Sequence, residues 1–112
     1  MKDCLFCKIA RGEVESETVY TDEQVTAFND LNPQAPVHIL IVPKEHIEGI
    51  TALEEKHKNI IGHILLVAKR LASEKSISEG GFRVLVNSGG NAGQVVEHLH
   101  FHLLGGDRLK PI

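Results

Sequence analysis

Three histidines alternate with apolar residues near the end of this 112-residue chain, in the segment HLHFHLL at residues 98–104. Side chains of a β-strand alternate between its faces, so the spacing predicts His98, His100 and His102 on one face and the apolar residues on the other. Neutral imidazole is nucleophilic near pH 7, because its ordinary pKa is about 6.5. One ring can then attack a substrate while a neighbour binds a developing anion or handles a proton. An exposed polar face that happens to be rich in histidine is the alternative interpretation.

A glycine-rich loop, NSGGNAGQVV at residues 87–96, leads directly into the histidine segment. Gly89, Gly90 and Gly93 permit positive φ and a close approach of the backbone, so that amide groups can converge on phosphate oxygens. An ordinary hairpin connection would also contain glycines. This loop is longer than a tight turn requires, however, and together with the histidines it predicts a phosphate-containing substrate.

Two cysteines, Cys4 and Cys7, form a C-x2-C pair near the N-terminus. The pair alone is compatible with zinc ligation, redox chemistry or two incidental thiols. A thioredoxin-like role would need a preceding strand and a helix starting at the pair within a βαβ unit, and the sequence predicts no such unit at residue 4. Zinc would need two further ligands, which distant histidines would have to supply.

The composition of the chain excludes some classes of function. A net charge of -3 and a pI near 6.1 give no basic surplus, which argues against a nucleic-acid-binding protein. No segment approaches the roughly 20 apolar residues of a membrane span, and the N-terminus does not resemble a signal peptide. We therefore expect a cytoplasmic protein with no nucleic-acid or membrane partner, and the composition leaves a small charged ligand open.

The first half of the chain predicts three strands. The segment TVYTDEQVTAFNDLNP predicts a short strand, a turn at Thr21-Asp22-Glu23 and a second strand around Val25 to Asn29, and VHILIV follows between Pro36 and Pro43. In VHILIV both alternating sets of side chains are apolar except at His38, which predicts a central strand covered on both faces.

The second half predicts one long amphipathic helix, from about Leu53 to Lys75, followed by the strand FRVLVN and the histidine strand. Strands grouped in hairpins, instead of alternating with helices, indicate an α+β fold with about five strands in a mainly antiparallel sheet. The length is that of one domain, residues 1–112.

The segments HLHFHLL, FNDLNPQAPVHILIVPKEHI, VNSGGNAGQ and LLGG together resemble the histidine-triad (HIT) superfamily over nearly the whole chain. The closest resemblance is to the HINT-like branch of nucleoside phosphoramidases and related dinucleotide hydrolases. It implies a HIT-like fold with a short N-terminal helix, and a homodimer with the long helix and the FRVLVN strand at its interface.

The resemblance also implies catalytic roles. His100 matches the nucleophile that attacks the α-phosphorus of a nucleotide and becomes transiently nucleotidylated. His102 matches the residue that contacts the phosphate and the bridging oxygen, and the carbonyl of His98 matches the group that orients His100. His38 matches a histidine at the floor of the site.

Further positions match substrate-binding residues of the family at the base, the ribose, the leaving group and the phosphate. The implied set is Phe28, Asp30, Leu31, Asn87, Gly93, Gln94 and Val95, with His100 and His102. Val95 replaces a serine that is common in HINT proteins, and Glu97 replaces a frequent aromatic residue. The valine retains its backbone amide but has no hydroxyl to assist the leaving group.

Zinc-bearing HIT relatives, including galactose-1-phosphate uridylyltransferases, resemble the chain in a further set of residues. These residues are Cys4, Cys7, His46 and His98, which implies a structural zinc ion. The proposed chemistry itself requires no metal.

The sequence therefore predicts a hydrolase or transferase that cleaves purine nucleoside phosphoramidates or related nucleotide conjugates through a nucleotidyl-histidine. One alternative is a nucleotide-binding regulatory or scaffolding module with weak catalysis. Another is a small zinc-binding interaction domain.

Overall fold

The computed structural model describes residues 4–112, and its elements agree with the predicted α+β fold. There are five strands, one long helix and a short N-terminal helix. In chain order these are α1 (Leu5–Ala10), β1 (Thr18–Thr21), β2 (Val25–Asn29), β3 (Val37–Pro43), α2 (Lys58–Glu74), β4 (Phe82–Val86) and β5 (Phe101–Gly105).

The five strands form one antiparallel sheet in the order β1-β2-β3-β5-β4. β3 is the central strand, as its two apolar faces predict. In its pairing with β5, His38 lies opposite Leu104 and Leu40 lies opposite His102. His38 and His102 are therefore diagonal neighbours on one face of the sheet, close enough for their side chains to meet.

Both faces of the sheet are covered. One face packs on α2 through a core that includes Ile39, Ile41, Ile64, Leu71, Leu99, Phe101 and Leu103. The other face packs on α1, where Phe6 contacts Phe28 with ring centroids 5.4 Å apart, over Leu40 and Val42. Because α1 covers only part of this second face, the histidines beside it stay next to open space.

The long helix begins later than the sequence predicts, at Lys58 and not near Leu53. Two short 3-10 turns, Ile50–Ala52 and Glu55–His57, precede it. A reciprocal cap holds the second turn, in which the Glu54 side chain accepts from the His57 backbone and the His57 ring accepts from the Glu54 amide. The α-helix begins at the residue after this capped turn.

The histidine strand also begins later than predicted, because β5 starts at Phe101. Upstream of it the chain bonds to the segment after β3: the Leu99 amide donates to the Ile47 carbonyl at 2.6 Å. The predicted alternation of faces still holds, since Leu99 and Phe101 enter the core under α2.

Within residues 4–112, the structure has no helix that is both long and apolar enough to cross a membrane.

The packing at Gly105 gives a test of the fold. A Cβ added there would lie 2.7 Å from Cδ1 of Ile77 and 3.3 Å from Cβ of Phe82, so Gly105→Ala should lower the free energy of unfolding by about 1–3 kcal/mol. At Gly62 in α2 a Cβ meets nothing within 4 Å, and Gly62→Ala should stabilise by about 0.5–1 kcal/mol. Thermal denaturation of both variants measures the difference. Equal melting temperatures would contradict the close approach at Gly105.

Candidate active site

A cavity of about 460 Å³ lies between α1, the histidines and the glycine-rich loop, and we call it the histidine cavity. His100 and His102 line one side, and Gly93 and Val95 of the loop also line it. Its apolar wall consists of Leu5, Phe6, Ile9, Val14, Phe28 and Leu40. A larger hollow, about 790 Å³, lies near the C-terminus and is lined by neither histidine nor cysteine. The chemistry predicted from the sequence therefore belongs to the histidine cavity.

His100 is held by the backbone of His98. Its Nδ1 lies 2.7 Å from the His98 carbonyl, and because a carbonyl can only accept, Nδ1 carries the proton and donates it. The Phe6 ring packs edge-on against the imidazole, with centroids 5.1 Å apart. The side chain is 8% exposed, at the cavity wall. In the neutral ring Nε2 then bears a lone pair, as a nucleophile requires.

His102 lies on β5 next to His100. Its Nδ1 is 2.9 Å from Nε2 of His38, and its own Nε2 is buried with no hydrogen-bond partner in the described part of the chain. Burial, together with the positive charges that His100 and His38 can carry, lowers the pKa of His102 to about 4, although Asp30 acts in the opposite direction. His102 is therefore neutral at pH 7.

His38 lies buried on β3, behind His102. Its Nδ1 accepts a hydrogen bond from the Gln34 amide at 3.0 Å, and its Nε2 is 3.4 Å from Oδ2 of Asp30. Burial lowers the pKa of His38, and Asp30 partly offsets that effect. The histidine predicted at the floor of the site thus contacts His102 directly.

The ring of His98 points away from the histidine cavity. Its Nε2 donates to the Pro43 carbonyl at 2.7 Å, and its Nδ1 lies 3.2 Å from Sγ of Cys4 and 3.4 Å from Sγ of Cys7. Burial lowers its pKa to about 4. The row of three histidines is therefore divided: two rings line the cavity, and His98 contributes only its carbonyl to it.

The residues predicted to bind a metal lie together. One donor atom from each of Cys4, Cys7, His46 and His98 falls within 4.8 Å of the others, and Sγ of Cys7 is 3.2 Å from Nδ1 of His46. Tetrahedral zinc with ordinary bond lengths separates sulfur and nitrogen ligands by about 3.6 Å, close to the distances found here. Burial raises the pKa of the Cys7 thiol. The cluster fits a four-coordinate metal ion.

The expected substrate-binding residues divide into two groups. Phe28, Asp30, Leu31, Gly93 and Val95 line the histidine cavity. Leu31 and Val95 stand at its rim, each with 89% of its surface exposed. Asn87 and Gln94 do not line the cavity.

Gln94 holds the glycine-rich loop in place. Its Oε1 accepts from the Gly89 amide at 2.8 Å, and its Nε2 donates to the carbonyls of Glu48 at 2.6 Å and Val96 at 3.1 Å. Gly89 and Gly93 adopt φ of 85° and 92°, which a side chain would strain. The side chain of Gln94 is thus fully engaged within the protein and shapes the loop from behind.

Two features of the site were not predicted from the sequence. The α1 residues Phe6 and Ile9 form part of the apolar wall, and their i, i+3 spacing was the available signal. The Gln34 amide, which binds His38, has no side-chain signal in the sequence.

Comparison with known proteins gives the family. A HIT domain family model matches residues 11–109. A purine nucleoside phosphoramidase of Escherichia coli strain K12 is 41% identical over 111 residues, covering 99% of this chain and 93% of that protein. A 14 kDa zinc-binding protein of Zea mays is 47% identical over 107 residues, covering 94% and 83%.

Solved structures agree with these relatives. A histidine triad protein from Clostridium difficile superposes with a TM-score of 0.97 at 48% identity, covering 100% of this chain and 97% of that one. A HIT family hydrolase from Clostridium thermocellum gives a TM-score of 0.96 at 45% identity with the same coverage. With two imidazoles lining the cavity and the third ring among the cysteines, this chain belongs to the HIT family of histidine triad proteins.

Proposed function

We propose that the protein is a HIT-family nucleotide hydrolase or transferase that cleaves purine nucleoside phosphoramidates or related nucleotide conjugates at the α-phosphorus. The observation that carries the proposal is the His100 ring, whose Nδ1 is committed to the His98 carbonyl so that Nε2 is free to attack. The similarity to a purine nucleoside phosphoramidase at 41% identity supports the substrate class.

The reaction has two steps. In the first, Nε2 of His100 forms a bond to the α-phosphorus while the bond to the leaving group breaks, and the departing amine takes up a proton from water. In the second, water attacks phosphorus and loses a proton to solvent, the bond to His100 breaks, and the nucleoside monophosphate is released. Dividing the displacement in this way lets one arrangement of hydrogen-bond donors serve both transition states.

The remaining groups bind the substrate. Nε2 of His102, which has no hydrogen-bond partner among residues 4–112, can meet an oxygen of the phosphoryl group, and amides of the glycine-rich loop can meet the others. The apolar wall, including Phe6 and Phe28, offers contact to a nucleobase without a fixed set of polar groups. Asp30 lies where it can reach a ribose hydroxyl.

We also propose that the cluster of Cys4, Cys7, His46 and His98 binds one structural zinc ion, as the name of the maize relative suggests for that protein. Zinc would supply crosslinking and no catalytic chemistry. It would tie the start of α1 to His98, whose carbonyl orients His100.

A nucleotide-binding module with weak catalysis is the second candidate, and Val95 is the observation that favours it. This rim residue has no hydroxyl that could assist a leaving group. Single-turnover hydrolysis separates the two functions, since a binding module would retain the nucleotide conjugate without releasing monophosphate.

Removal of the nucleophile tests the main proposal. His100→Ala should retain the fold but lose roughly a thousandfold or more in turnover, since no other group can form the covalent bond. Mass spectrometry of the quenched wild-type protein should detect a nucleotidyl group on His100. His63→Ala is the matched control, because His63 pairs with Asp22 away from the cavity. Hydrolysis by His100→Ala at the wild-type rate would show that His100 is not the nucleophile.

Metal content tests the zinc proposal. Elemental analysis should find one zinc ion per wild-type chain and much less in Cys7→Ser, because a serine hydroxyl is a poor zinc ligand compared with a thiolate. His63→Ala should retain the full content. A wild-type protein purified with zinc present but without bound zinc would refute this assignment.

The homodimer stays a proposal, supported by exposed apolar residues on α2 and by the unpaired edge of β4 in the described sheet. Leu66 is 65% exposed on α2. Light scattering should give twice the 12.3 kDa chain mass for the wild type and the monomer mass for Leu66→Glu. Lys8→Glu is the control, because α1 packs on the opposite face of the sheet from α2. A monomeric wild type would refute this part.

A further inference from the structure

A chain of hydrogen bonds enters the histidine cavity from the backbone of Gln34. Its amide donates to Nδ1 of His38 at 3.0 Å. A backbone N-H can only donate, so Nδ1 of His38 carries no proton. His38 is therefore a neutral imidazole whose single proton lies on Nε2.

The same reasoning extends to His102. Nε2 of His38 lies 2.9 Å from Nδ1 of His102, and since the proton is on His38, Nδ1 of His102 is the acceptor. The proton of His102 must then lie on its Nε2. Asp30 is consistent with this order, because its Oδ2 lies 3.4 Å from Nε2 of His38 and a carboxylate can only accept.

His100 has the opposite arrangement. Its Nδ1 faces a carbonyl, so its proton lies on Nδ1 and its lone pair on Nε2. Backbone groups of opposite polarity thus hold two neighbouring cavity histidines in opposite tautomers. The amide of Gln34 acts on His102 through His38, and the carbonyl of His98 acts on His100 directly.

We propose that His38 is a positioning residue that fixes His102 as a neutral Nε2-H donor, so that His102 binds a phosphoryl oxygen and serves neither as a nucleophile nor as the acid for the leaving group. The identity of that oxygen rests on the proposed function, whereas the tautomer of His102 does not.

His102 cannot act as the acid that protonates the leaving group, because losing its proton would leave a buried negative charge. If His102 released its Nε2 proton, it would become an imidazolate unless Nδ1 gained a proton from His38. His38 would then be the anion, since its Nδ1 is occupied by the Gln34 amide. A buried negative charge would result in either case, and burying an unpaired charge is strongly unfavourable. Water is then the simplest source of the proton for the leaving group.

The Nε2 atom of His102 supports the role of donor. It is buried and makes no hydrogen bond to any residue that the structure describes. A buried N-H without an acceptor is destabilising, and a ligand oxygen would relieve that penalty.

A cation site is the competing interpretation of these side chains. Donor atoms of Asp30, His38 and His102 lie within 4.8 Å of one another. Nε2 of His38 would have to lose its proton to bind a metal, and its Nδ1 would then need a proton where the Gln34 amide now points. The backbone therefore opposes metal binding at this cluster.

Two variants test the proposal, His38→Gln and His38→Glu, whose new side chains have nearly the same shape but differ in whether they can donate a hydrogen bond. In His38→Gln the side-chain amide can still donate to Nδ1 of His102, and the Asp30 carboxylate favours the orientation with its NH2 group on that side. In His38→Glu an ionised carboxylate can only accept, so it should draw a proton onto Nδ1 of His102.

Nitrogen-15 spectra of the histidine rings at pH 7 read the tautomers directly, without substrate. We expect the His102 proton on Nε2 in the wild type and in His38→Gln, and a protonated Nδ1 in His38→Glu. With a purine nucleoside phosphoramidate, His38→Gln should retain kcat within a few-fold, while His38→Glu should lose about a hundredfold with a smaller change in KM.

His57→Gln is the matched control. The His57 ring likewise accepts from a backbone amide, that of Glu54 at 2.9 Å, and its Nε2 lies 3.1 Å from Oε2 of Glu45, but it does not line the histidine cavity. Its substitution should leave the His102 spectrum and turnover unchanged.

A wild-type His102 with its proton on Nδ1 would overturn the proposal, as would an unchanged Nε2-H tautomer in His38→Glu. The expected tautomers in a protein that does not hydrolyse phosphoramidates would confirm the positioning by His38 and refute only the proposed function.

Discussion

The site depends on how the chain holds His98. The ring of this residue donates to the Pro43 carbonyl and faces Cys4 and Cys7, while its own carbonyl accepts from Nδ1 of His100. One residue therefore joins the cysteine cluster to the histidine cavity. A displacement of its peptide group would move the acceptor that orients the His100 ring.

Which ring nitrogen of each cavity histidine carries the proton depends more on the neighbouring backbone groups than on nearby charges. Main-chain groups have a fixed role as donor or acceptor, so an imidazole beside one has only one tautomer open to it. A carbonyl faces His100, and an amide reaches His102 through His38. Burial acts in the same direction, since it lowers the pKa of both His38 and His102 and keeps them neutral. Two chemically identical side chains are thereby held in opposite protonation patterns.

Much of this arrangement could be predicted from local patterns. The alternation in VHILIV indicated a central strand, and β3 is central in the sheet. The helical spacing indicated α2, but the α-helix begins only at Lys58, because the residues before it form a 3-10 turn capped by Glu54 and His57. Gln94 lies in the expected loop, but its side chain binds three backbone groups and does not face the cavity. Its direction depends on the segment around Glu48, which is distant in sequence.

The sequence by itself determined the faces of the strands, the glycine-rich loop and the types of residue that carry the chemistry, because period-2 patterns and glycine conformations are local properties of the chain. Only the tertiary structure decided that the ring of His98 belongs with the cysteines and that His38 meets His102. Those contacts join residues 64 to 94 positions apart. The protonation of each imidazole depends on which backbone group folding brings to its ring, and no local pattern encodes that partner.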